Sequence, residues 1–484
     1  MSQLINIWFN KYENDYSDYK TEDETFLFFN LFDKKNKSNV KSDVEQLWRR
    51  FGVEALSNLQ EDFLFIATSI FCADKRIPRK IFPDNWTREI KLYIPVLEIE
   101  KWKLVKDEFE KTIGFLSGDK WTFEFRATKA KFRANKKNTK YKLIDSQKFN
   151  SVSLFSGGLD SFCGALTLSD KKMKACYVGF REYNLLTSRQ NELFESINVH
   201  YPMLEKELLL FNVSPLAPQQ LGNSKIKLSV ESTSRSRSLL FIAGAVAIAS
   251  IIGEKTPVYI PENGFIGINV PLTESRAGSC STRTTHPIFL GSLNTILKRV
   301  GIQNEVSNFY WSKSKGEILK EHQDNPVFIK KAHRTLSCSH PCLSRYDKKR
   351  SDKIETPCNC GYCYPCLIRR ASFTEVTTDR TNYNPLYELN NEFILNYNTL
   401  QGRASDLKAV LYSLKRYIQH KDDKEYIRSL LLRQGPLSSR ELEGYERLYH
   451  KSMNELWELI KKADDENNSG LMKYAGLKDK VQNV

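Results

Sequence analysis

The chain of 484 residues is longer than one ordinary folding unit, because single domains usually hold about 100 to 200 residues, so we expect two or three domains. Its composition, 40% hydrophobic and 27% charged, is typical of a folded protein and excludes an intrinsically disordered one. The formal net charge of +15 favours anionic partners, which include nucleotides, nucleic acids and acidic proteins.

The compartment is predicted from the apolar segments and the cysteines. The first residues contain no basic segment followed by an apolar core, so we expect no secretory signal. The longest apolar run, residues 239–252, is shorter than the roughly 20 residues of a membrane span and reads as a buried helix. We therefore expect a cytoplasmic protein without membrane contact, in which clustered cysteines among the 10 hold metal or do chemistry rather than form disulfides.

Residues 1–128 are predicted to form a small N-terminal α+β accessory domain. Two strand-like segments, residues 90–99 and 120–126, flank a segment whose apolar residues recur at helical spacing, residues 101–116. Residues 129–149 are predicted to be a basic linker, because residues 129–142 contain seven basic side chains and no acidic one. The alternative is a strip that contacts phosphates.

Residues 150–400 are predicted to form an α/β domain. Short apolar runs alternate with helical segments, which is typical of a parallel sheet with helices on both faces, and ligands bind such sheets at the carboxyl ends of the strands. Residues 401–484 have helical periodicity throughout and are predicted to be a helical C-terminal region for packing or partner binding. A capping-box pattern that starts at Ser439 marks the beginning of its longest helix.

A glycine turn follows the first predicted strand of the α/β domain. The sequence SGGLDS at residues 156–161 leads directly into a helix, and this geometry directs backbone N–H groups and the helix dipole at one point, where an anion is stabilised. Asp160 could cap the helix or hold a magnesium ion carried by phosphates. The pattern is neither a Walker P-loop nor the dinucleotide fingerprint. Cys163 lies on the apolar face of that helix and is predicted to be a packed core thiol.

Six cysteines lie between residues 338 and 366, and three of them, Cys360, Cys363 and Cys366, have the C-x-x-C spacing that places thiolates on one metal. A distant fourth thiolate would close a tetrahedral zinc site. Because all four positions would then be cysteine, we expect a structural zinc site rather than a catalytic one.

Together the two motifs resemble a known enzyme family. SGGLDS matches at all six positions the SGGxDS signature of PP-loop ATP pyrophosphatases, which split ATP into AMP and pyrophosphate while they adenylate a substrate. The cysteine pattern is similar to that of the QueC family, the 7-cyano-7-deazaguanine synthases. The resemblance covers residues 150–372 and implies a Rossmann-like (HUP) fold, the cofactors ATP, Mg²⁺ and Zn²⁺, and the zinc ligands Cys338, Cys360, Cys363 and Cys366.

The chain departs from the family pattern near the cysteines. The insert between Cys338 and Cys360 is longer and more basic than in the family, and Cys342 and Cys358 are additional. A ligand set that includes Cys342 or Cys358 therefore stays open.

The resemblance also implies the roles of individual residues. Arg237 matches an arginine at a helix start, with Arg235 as the competitor, and Lys313 and Lys315 match a K-[ST]-K-x-E-I segment. The predicted ATP-binding residues are Ser156, Gly157, Gly158, Leu159, Asp160, Ser161 and Arg237. Asp160 and Lys315 are the predicted catalytic residues. The predicted substrate-binding residues follow a later strand and are Glu262, Asn263, Arg276, Arg283 and His286.

The implied reaction is ATP-dependent. A carboxylate, 7-carboxy-7-deazaguanine or a related 7-deazapurine acid, is adenylated and then transferred to a nitrogen nucleophile. That nucleophile is ammonia in the family, and in this enlarged form it could be an amine of a partner protein. Enlarged QueC-like proteins resemble those encoded in bacterial antiviral operons, so we expect a protein partner from the same operon. The alternatives are a PP-loop enzyme that modifies tRNA, for which nucleic acid would be the partner, and a non-catalytic nucleotide-binding scaffold subunit of a defence complex.

Overall fold

A computed structural model describes most of the chain. The described residues are 4–11, 26–31, 38–52, 55–131, 143–222, 226–231, 234–274, 283–342, 357–376, 379–384, 389, 404–467 and 470–477. Most of the predicted basic linker lies outside these residues.

The described residues form twelve strands and sixteen helices. The strands are β1 Leu4–Asn10, β2 Phe26–Asn30, β3 Val40–Ser42, β4 Glu89–Val96, β5 Lys120–Ala127, β6 Ser151–Leu154, β7 Ala175–Phe180, β8 Lys206–Phe211, β9 Val213–Pro215, β10 Gln219–Leu221, β11 Val258–Tyr259 and β12 Val306–Ser307. The first eight helices are α1 Gln46–Arg49, α2 Asn58–Arg76, α3 Ile99–Leu104, α4 Lys106–Ser117, α5 Leu159–Asp170, α6 Asn184–His200, α7 Arg237–Ile252 and α8 Gly264–Ile268. The other eight are α9 Pro287–Val300, α10 Lys315–His322, α11 Pro326–Lys331, α12 Tyr364–Ser372, α13 Ser405–His420, α14 Lys424–Leu432, α15 Ser439–Asn467 and α16 Leu471–Ala475.

The central sheet has five strands in the order β12-β11-β6-β7-β8, and every neighbouring pair is parallel. Helices cover both faces, because side chains alternate along the strands: Cys176 and Val178 of β7 pack into the cluster that contains α7, whereas Tyr177 packs into the cluster that contains α5 and α6. This confirms the predicted α/β class. The chain leaves β6 toward β7 on one side and reaches β11 on the other, so a crevice opens between the carboxyl ends of β6 and β11.

The N-terminal sheet differs from the prediction. Its order is β10-β2-β1-β4-β5, and all pairs are parallel except that of β10 with β2. The region is therefore α/β rather than α+β. The strands predicted at residues 90–99 and 120–126 correspond to β4 and β5, but the sequence analysis leaves β1 and β2 unassigned. Both are almost entirely buried, as is usual for strands of a covered parallel sheet, and so they lack the polar alternation that marks a strand.

One hydrophobic core joins the two sheets. It extends from Ile5 in β1 through α2, α7 and α9 to Val306 in β12, and β10 adds a strand from the predicted α/β domain to the N-terminal sheet. The division of the chain at residue 128 stays a prediction, and the core crosses it.

The C-terminal region is helical, as expected from its periodicity. Helices α13, α14 and α15 form a second core together with α8 and α12. The capping box of α15 starts one residue earlier than predicted, because Ser438 rather than Ser439 accepts from the backbone N–H of Glu441, whose carboxylate accepts from the N–H of Ser438. Among the described residues, no helix has both the length and the apolar character that a membrane span needs.

Candidate functional site

The glycine turn connects β6 to α5 at the crevice of the central sheet. Gly157 has φ +82°, a left-handed conformation that glycine adopts without strain, and Gly158 precedes the first residue of α5. The Ser156 hydroxyl lies 3.0 Å from the Ser161 hydroxyl and accepts from the N–H of Gly158 at 3.2 Å. The turn thus brings two hydroxyls and the N-terminus of a helix to one point, which suits a phosphate.

Asp160 connects three elements at this point. The ammonium of Lys315, the first residue of α10, lies 2.8 Å from one oxygen of its carboxylate. The side-chain amide of Asn263 donates to the other oxygen at 2.9 Å, and Asn263 also caps α8 by accepting from the N–H of Ile266. Side chains therefore join the carboxyl ends of β6 and β11, and the three side chains lie on different elements: Asp160 on α5, Asn263 at the cap of α8 and Lys315 on α10.

Glu262 lies beside this group and is partly buried. Its carboxylate accepts from the Thr285 hydroxyl, and its backbone carbonyl accepts from the Asn308 side chain at 2.7 Å. Burial raises the pKa of Glu262 to about 7; the Thr285 hydroxyl opposes the shift, and the nearby Asp160 adds to it. Near neutral pH this side chain can either accept or donate a hydrogen bond.

A cavity of about 760 Å³ opens over the turn. Its volume lies within the range of about 300 to 1,000 Å³ that is usual for small-molecule sites. The predicted site residues that line it are Ser156, Gly158, Leu159, Asp160, Ser161, Arg237, Glu262, Lys315 and Cys338. Arg235, His340 and Cys342 line it as well. Most of the predicted ATP-binding and catalytic residues therefore share one cavity.

The two competing arginines have different surroundings. Arg237 is half-exposed and its guanidinium pairs with Glu182 at 2.9 Å, so it can turn toward an anion in the cavity. Arg235 is buried and donates to the carbonyl of Ser117 in the N-terminal region, and burial lowers its pKa to about 10. Of the two arginines, Arg237 thus has the more exposed guanidinium, and its role in binding a ligand stays a prediction.

The N-terminal region fixes the start of α7, which carries Arg237. The carboxylate of Asp74 in α2 accepts from the N–H of Ser236 at 2.8 Å and from its hydroxyl at 2.7 Å. Arg88, fully buried, bridges Asp74 and Asp119. Nothing in the local sequence indicates this network, because its members are distant along the chain.

Two of the predicted substrate-binding residues that the structure describes, Arg283 and His286, make other contacts and do not line the cavity. Arg283 donates to the carbonyl of Phe115 at 2.8 Å and stacks on the Phe115 ring, and His286 caps α9 by accepting from the N–H of Ile288. Burial lowers the pKa of His286 to about 4, so it is neutral, and its ring packs against Phe115. Both therefore hold α9 against α4 instead of binding substrate. Arg276 lies outside the described residues.

Two further predictions concern single residues. Cys163 is fully buried in the core beneath α5, which confirms that it is a packed thiol, and burial raises its pKa far above that of a free thiol. Lys313 pairs with Glu321 on the surface and does not line the cavity, so of the two lysines only Lys315 reaches the site.

The predicted cysteine cluster forms in the structure. The sulfur atoms of Cys338, Cys360, Cys363 and Cys366 all lie within 4.8 Å of one another. The Cys338–Cys363 and Cys360–Cys366 sulfur separations are both 3.9 Å, close to the roughly 3.8 Å expected for two thiolates on one tetrahedral zinc ion.

Backbone N–H groups also favour a metal site at the four cysteines. N–H groups point at these sulfurs, among them that of His340 toward Cys338 at 3.2 Å, as is favourable for thiolates that hold a metal. The residues present therefore fit a zinc ion. Cys342 and Cys358 are both described, and neither belongs to the cluster. The four clustered cysteines therefore include Cys338, and not Cys342 or Cys358.

The cysteine cluster is attached to the glycine turn. The N–H of Leu336, two residues before Cys338, donates to the carbonyl of Gly157 at 3.0 Å. Asn359, next to Cys360, accepts from the N–H of Ser337 and donates to the carbonyl of Thr335. The buried Arg369 donates to the Thr335 hydroxyl at 2.7 Å. The sequence analysis missed Asn359 and Arg369, whose only signal was their position beside the C-x-x-C segment.

Comparison of the chain with known proteins identified no relative. No protein-family model, no curated protein and no solved structure matches the chain. Its function has to follow from the geometry and chemistry of this site.

Proposed function

We propose that the protein is a QueC-like ATP pyrophosphatase that adenylates a carboxylate and transfers the acyl group to a nitrogen nucleophile. The observation that carries the proposal is the Lys315–Asp160 ion pair of 2.8 Å, which stands beside the glycine turn and lines the same cavity. A cationic amine, a carboxylate and a helix N-terminus at one point suit a triphosphate and its metal ion. The strand order of the central sheet, which reverses beside this turn, supports a Rossmann-like nucleotide site.

The chain's own residues account for the first step. The glycine turn and Ser156 and Ser161 would hold the β- and γ-phosphates, while Lys315 and Arg237 would offset the negative charge that grows on them. The substrate carboxylate attacks the α-phosphorus, the bond to the bridging oxygen breaks, and pyrophosphate leaves. A magnesium ion would neutralise phosphate charge when bound, and Asp160 is the carboxylate placed to hold it.

The second step transfers the acyl group. A nitrogen nucleophile attacks the acyl carbon of the adenylate, AMP leaves, and the nitrogen loses a proton, which gives an amide. Glu262 is the group suited to recognise a 7-deazapurine acid, because its carboxyl group can accept or donate near neutral pH and lies in the same cavity. The zinc site, closed by four thiolates, has a structural role beside the cavity.

The setting is also part of the proposal. Enlarged QueC-like proteins resemble the QatC component of the bacterial Qat antiviral system, so we propose a role in antiviral defence with a protein partner from the same operon. The N-terminal sheet and the helical C-terminal region would supply the surface for that partner, and an amine of the partner could replace ammonia as the acceptor.

The deciding experiment measures products. The full chain is incubated with Mg·ATP, with and without 7-carboxy-7-deazaguanine, and the nucleotides are separated. We expect AMP and pyrophosphate only when the acid is present, and intact-mass spectrometry then shows either a free amide or nitrile, or a protein adduct. Formation of ADP, or ATP binding without turnover with any purine-like acid, would contradict the proposal, and the latter result would favour the scaffold alternative. AMP formation that depends on tRNA instead of the acid would favour the tRNA-modifying alternative.

A further inference from the structure

The C-terminal helix α15 reaches the N-terminus of α10, the helix that begins with Lys315. The side chain of Glu455 is 3% exposed. One of its carboxylate oxygens accepts from the Ser314 hydroxyl, and the other accepts from the N–H of Gly316 at 3.3 Å. Glu455 therefore binds the residues on both sides of Lys315.

The absence of a side chain at residue 316 allows this approach. A Cβ atom on Gly316 would lie 2.5 Å from a carboxylate oxygen of Glu455 and 2.7 Å from the Cγ atom of Glu375. Both distances are shorter than van der Waals contact, so any other residue would push the carboxylate away. The contact between α15 and α10 thus depends on a glycine in the first turn of α10.

Ser314, which Glu455 binds, also caps α10 together with Glu317. Ser314 accepts from the N–H of Glu317 at 3.1 Å, and Glu317 accepts in return from the N–H of Ser314 at 2.8 Å. Lys315 lies between the two residues that Glu455 binds, is itself buried, and extends its amine to Asp160. Movement of this first turn would change the distance between the two charges.

We propose that Glu455 is a positioning residue that holds the first turn of α10 so that Lys315 stays against Asp160. The C-terminal region then completes the site instead of only covering it. The effect on turnover rests on the proposed function, whereas the effect on the position of Lys315 does not.

The charges around Glu455 make this contact sensitive to pH. Burial raises the pKa of Glu455 to about 7, Lys451 one turn earlier on α15 lowers it, and Glu375, which pairs with Lys451 at 2.7 Å, raises it. Below about pH 7 the protonated carboxyl group loses an acceptor position, so the grip on Ser314 and Gly316 weakens. The ion pair of Lys315 should weaken with it.

The first test measures the accessibility of the Lys315 amine and needs no enzymatic activity. The full chain is treated briefly with an amine-acetylating reagent at pH 8, and peptide mass spectrometry gives the labelling of Lys315 relative to the exposed Lys320 on the same helix. In Glu455→Gln we expect this ratio to rise roughly tenfold, the change that corresponds to losing one charge-assisted hydrogen bond. The matched control is Glu458→Gln, an exposed residue on the same helix, which should leave the ratio unchanged.

The second test uses turnover. In Glu455→Gln, kcat for AMP formation should fall roughly tenfold while KM for ATP changes little, because the substrate site is intact and only the position of the amine has changed. In the wild type the rate should decline below about pH 7 by more than the titration of Glu262 causes, and in the variant this additional decline should be absent. A merely structural role would not remove it.

Several results would overturn the inference. An unchanged labelling ratio in a folded Glu455→Gln protein would do so, whatever the activity. If that variant does not fold, the wild type decides, since its Lys315-to-Lys320 ratio must rise as the pH falls from 8 to 6. If the wild type makes no AMP, the proposed function fails, and the labelling result still decides the role of Glu455.

Discussion

At the scale of single residues, the site depends on a buried lysine. Lys315 is 5% exposed and its amine pairs with Asp160, whose other oxygen is bonded to Asn263. A charge in such a place is stable only with its partner, because desolvation would otherwise be costly. The arrangement keeps one positive charge at a fixed point of the cavity.

The first prediction concerns this charge. Lys315→Ala should lower kcat for AMP formation on the order of 10²-fold or more, because it removes a cation placed where negative charge would grow in the proposed reaction. The matched control is Lys313→Ala, two residues earlier, whose ion pair with Glu321 lies at the surface; it should keep the rate within about twofold. Steady-state kinetics of pyrophosphate release measure both. Equal losses in the two variants would assign the effect to helix α10 in general and not to the amine at residue 315.

The second prediction concerns Glu262 and pH. Its folded-state pKa of about 7 lies above the ordinary value of 4.5, so between these values the unfolded chain releases a proton that the folded protein keeps. This residue therefore lowers stability as the pH rises from about 4.5 to about 7. Glu262→Gln has no carboxyl group to titrate. The free energy of unfolding of the variant minus that of the wild type should therefore increase by about 1–3 kcal/mol when the pH rises from 4.5 to 8.

Urea unfolding of both proteins at the two pH values measures this gap, which is the free energy of unfolding of the variant minus that of the wild type. Glu305→Gln, whose side chain is exposed, is the control and should show almost no change in the gap. A gap that narrows as the pH rises would mean that the ionised carboxylate is stabilised in the folded protein.

At the scale of elements, the glycine turn is held from three sides. Gln190 of α6 donates to the carbonyl of Phe155, Leu336 donates to that of Gly157, and α5 begins directly after the turn. The geometry of the turn thus depends on elements that are far apart in the sequence. A substitution in the turn should therefore lower the stability of the protein and weaken the binding of a ligand there.

The third prediction tests the turn. Gly157→Ala should destabilise the protein by about 1–2 kcal/mol and weaken ATP binding, because a side chain is strained at φ +82° and its Cβ would lie 3.1 Å from Gln190. Gly291→Ala is the control: it lies in α9, where a Cβ would meet nothing within 4 Å, and should stabilise by about 0.5–1 kcal/mol. Urea unfolding and calorimetric ATP titration give the two readouts. Normal ATP affinity in Gly157→Ala would place the phosphates elsewhere.

At the scale of the whole molecule, three regions meet at one cavity. The N-terminal region fixes the start of α7 through Asp74, the C-terminal region contacts the start of α10 through Glu455, and the cysteine cluster holds the segment that lies on the glycine turn. A disturbance in any of them should reach the site.

The fourth prediction concerns the metal. Cys366→Ser should lose bound zinc and lower the melting temperature, because Cys366 is one of four clustered ligands and lies in the second core. Cys342→Ser should keep one zinc ion per chain, since this cysteine lies outside the cluster. Elemental analysis of the purified proteins measures the metal. Retention of full zinc by Cys366→Ser would show that the ligand set is wrong.

The sequence by itself determined the local features. The alternation of strands and helices after residue 150, the glycine turn, the C-x-x-C spacing and the helical C-terminal region are all properties of short segments, and periodicity and spacing are enough to predict them. The fourth cysteine was identified through the family resemblance, and the structure places its sulfur with the other three.

Only the tertiary structure decided which distant residues meet. It kept Arg283 and His286 out of the cavity lining, paired Lys315 rather than Lys313 with Asp160, made all strand pairs of the N-terminal sheet but one parallel, and brought Glu455 to the start of α10. Each of these outcomes depends on a contact between segments that are far apart in the chain. The energies of such burial and pairing arise only in the folded protein, so a local sequence pattern does not predict them.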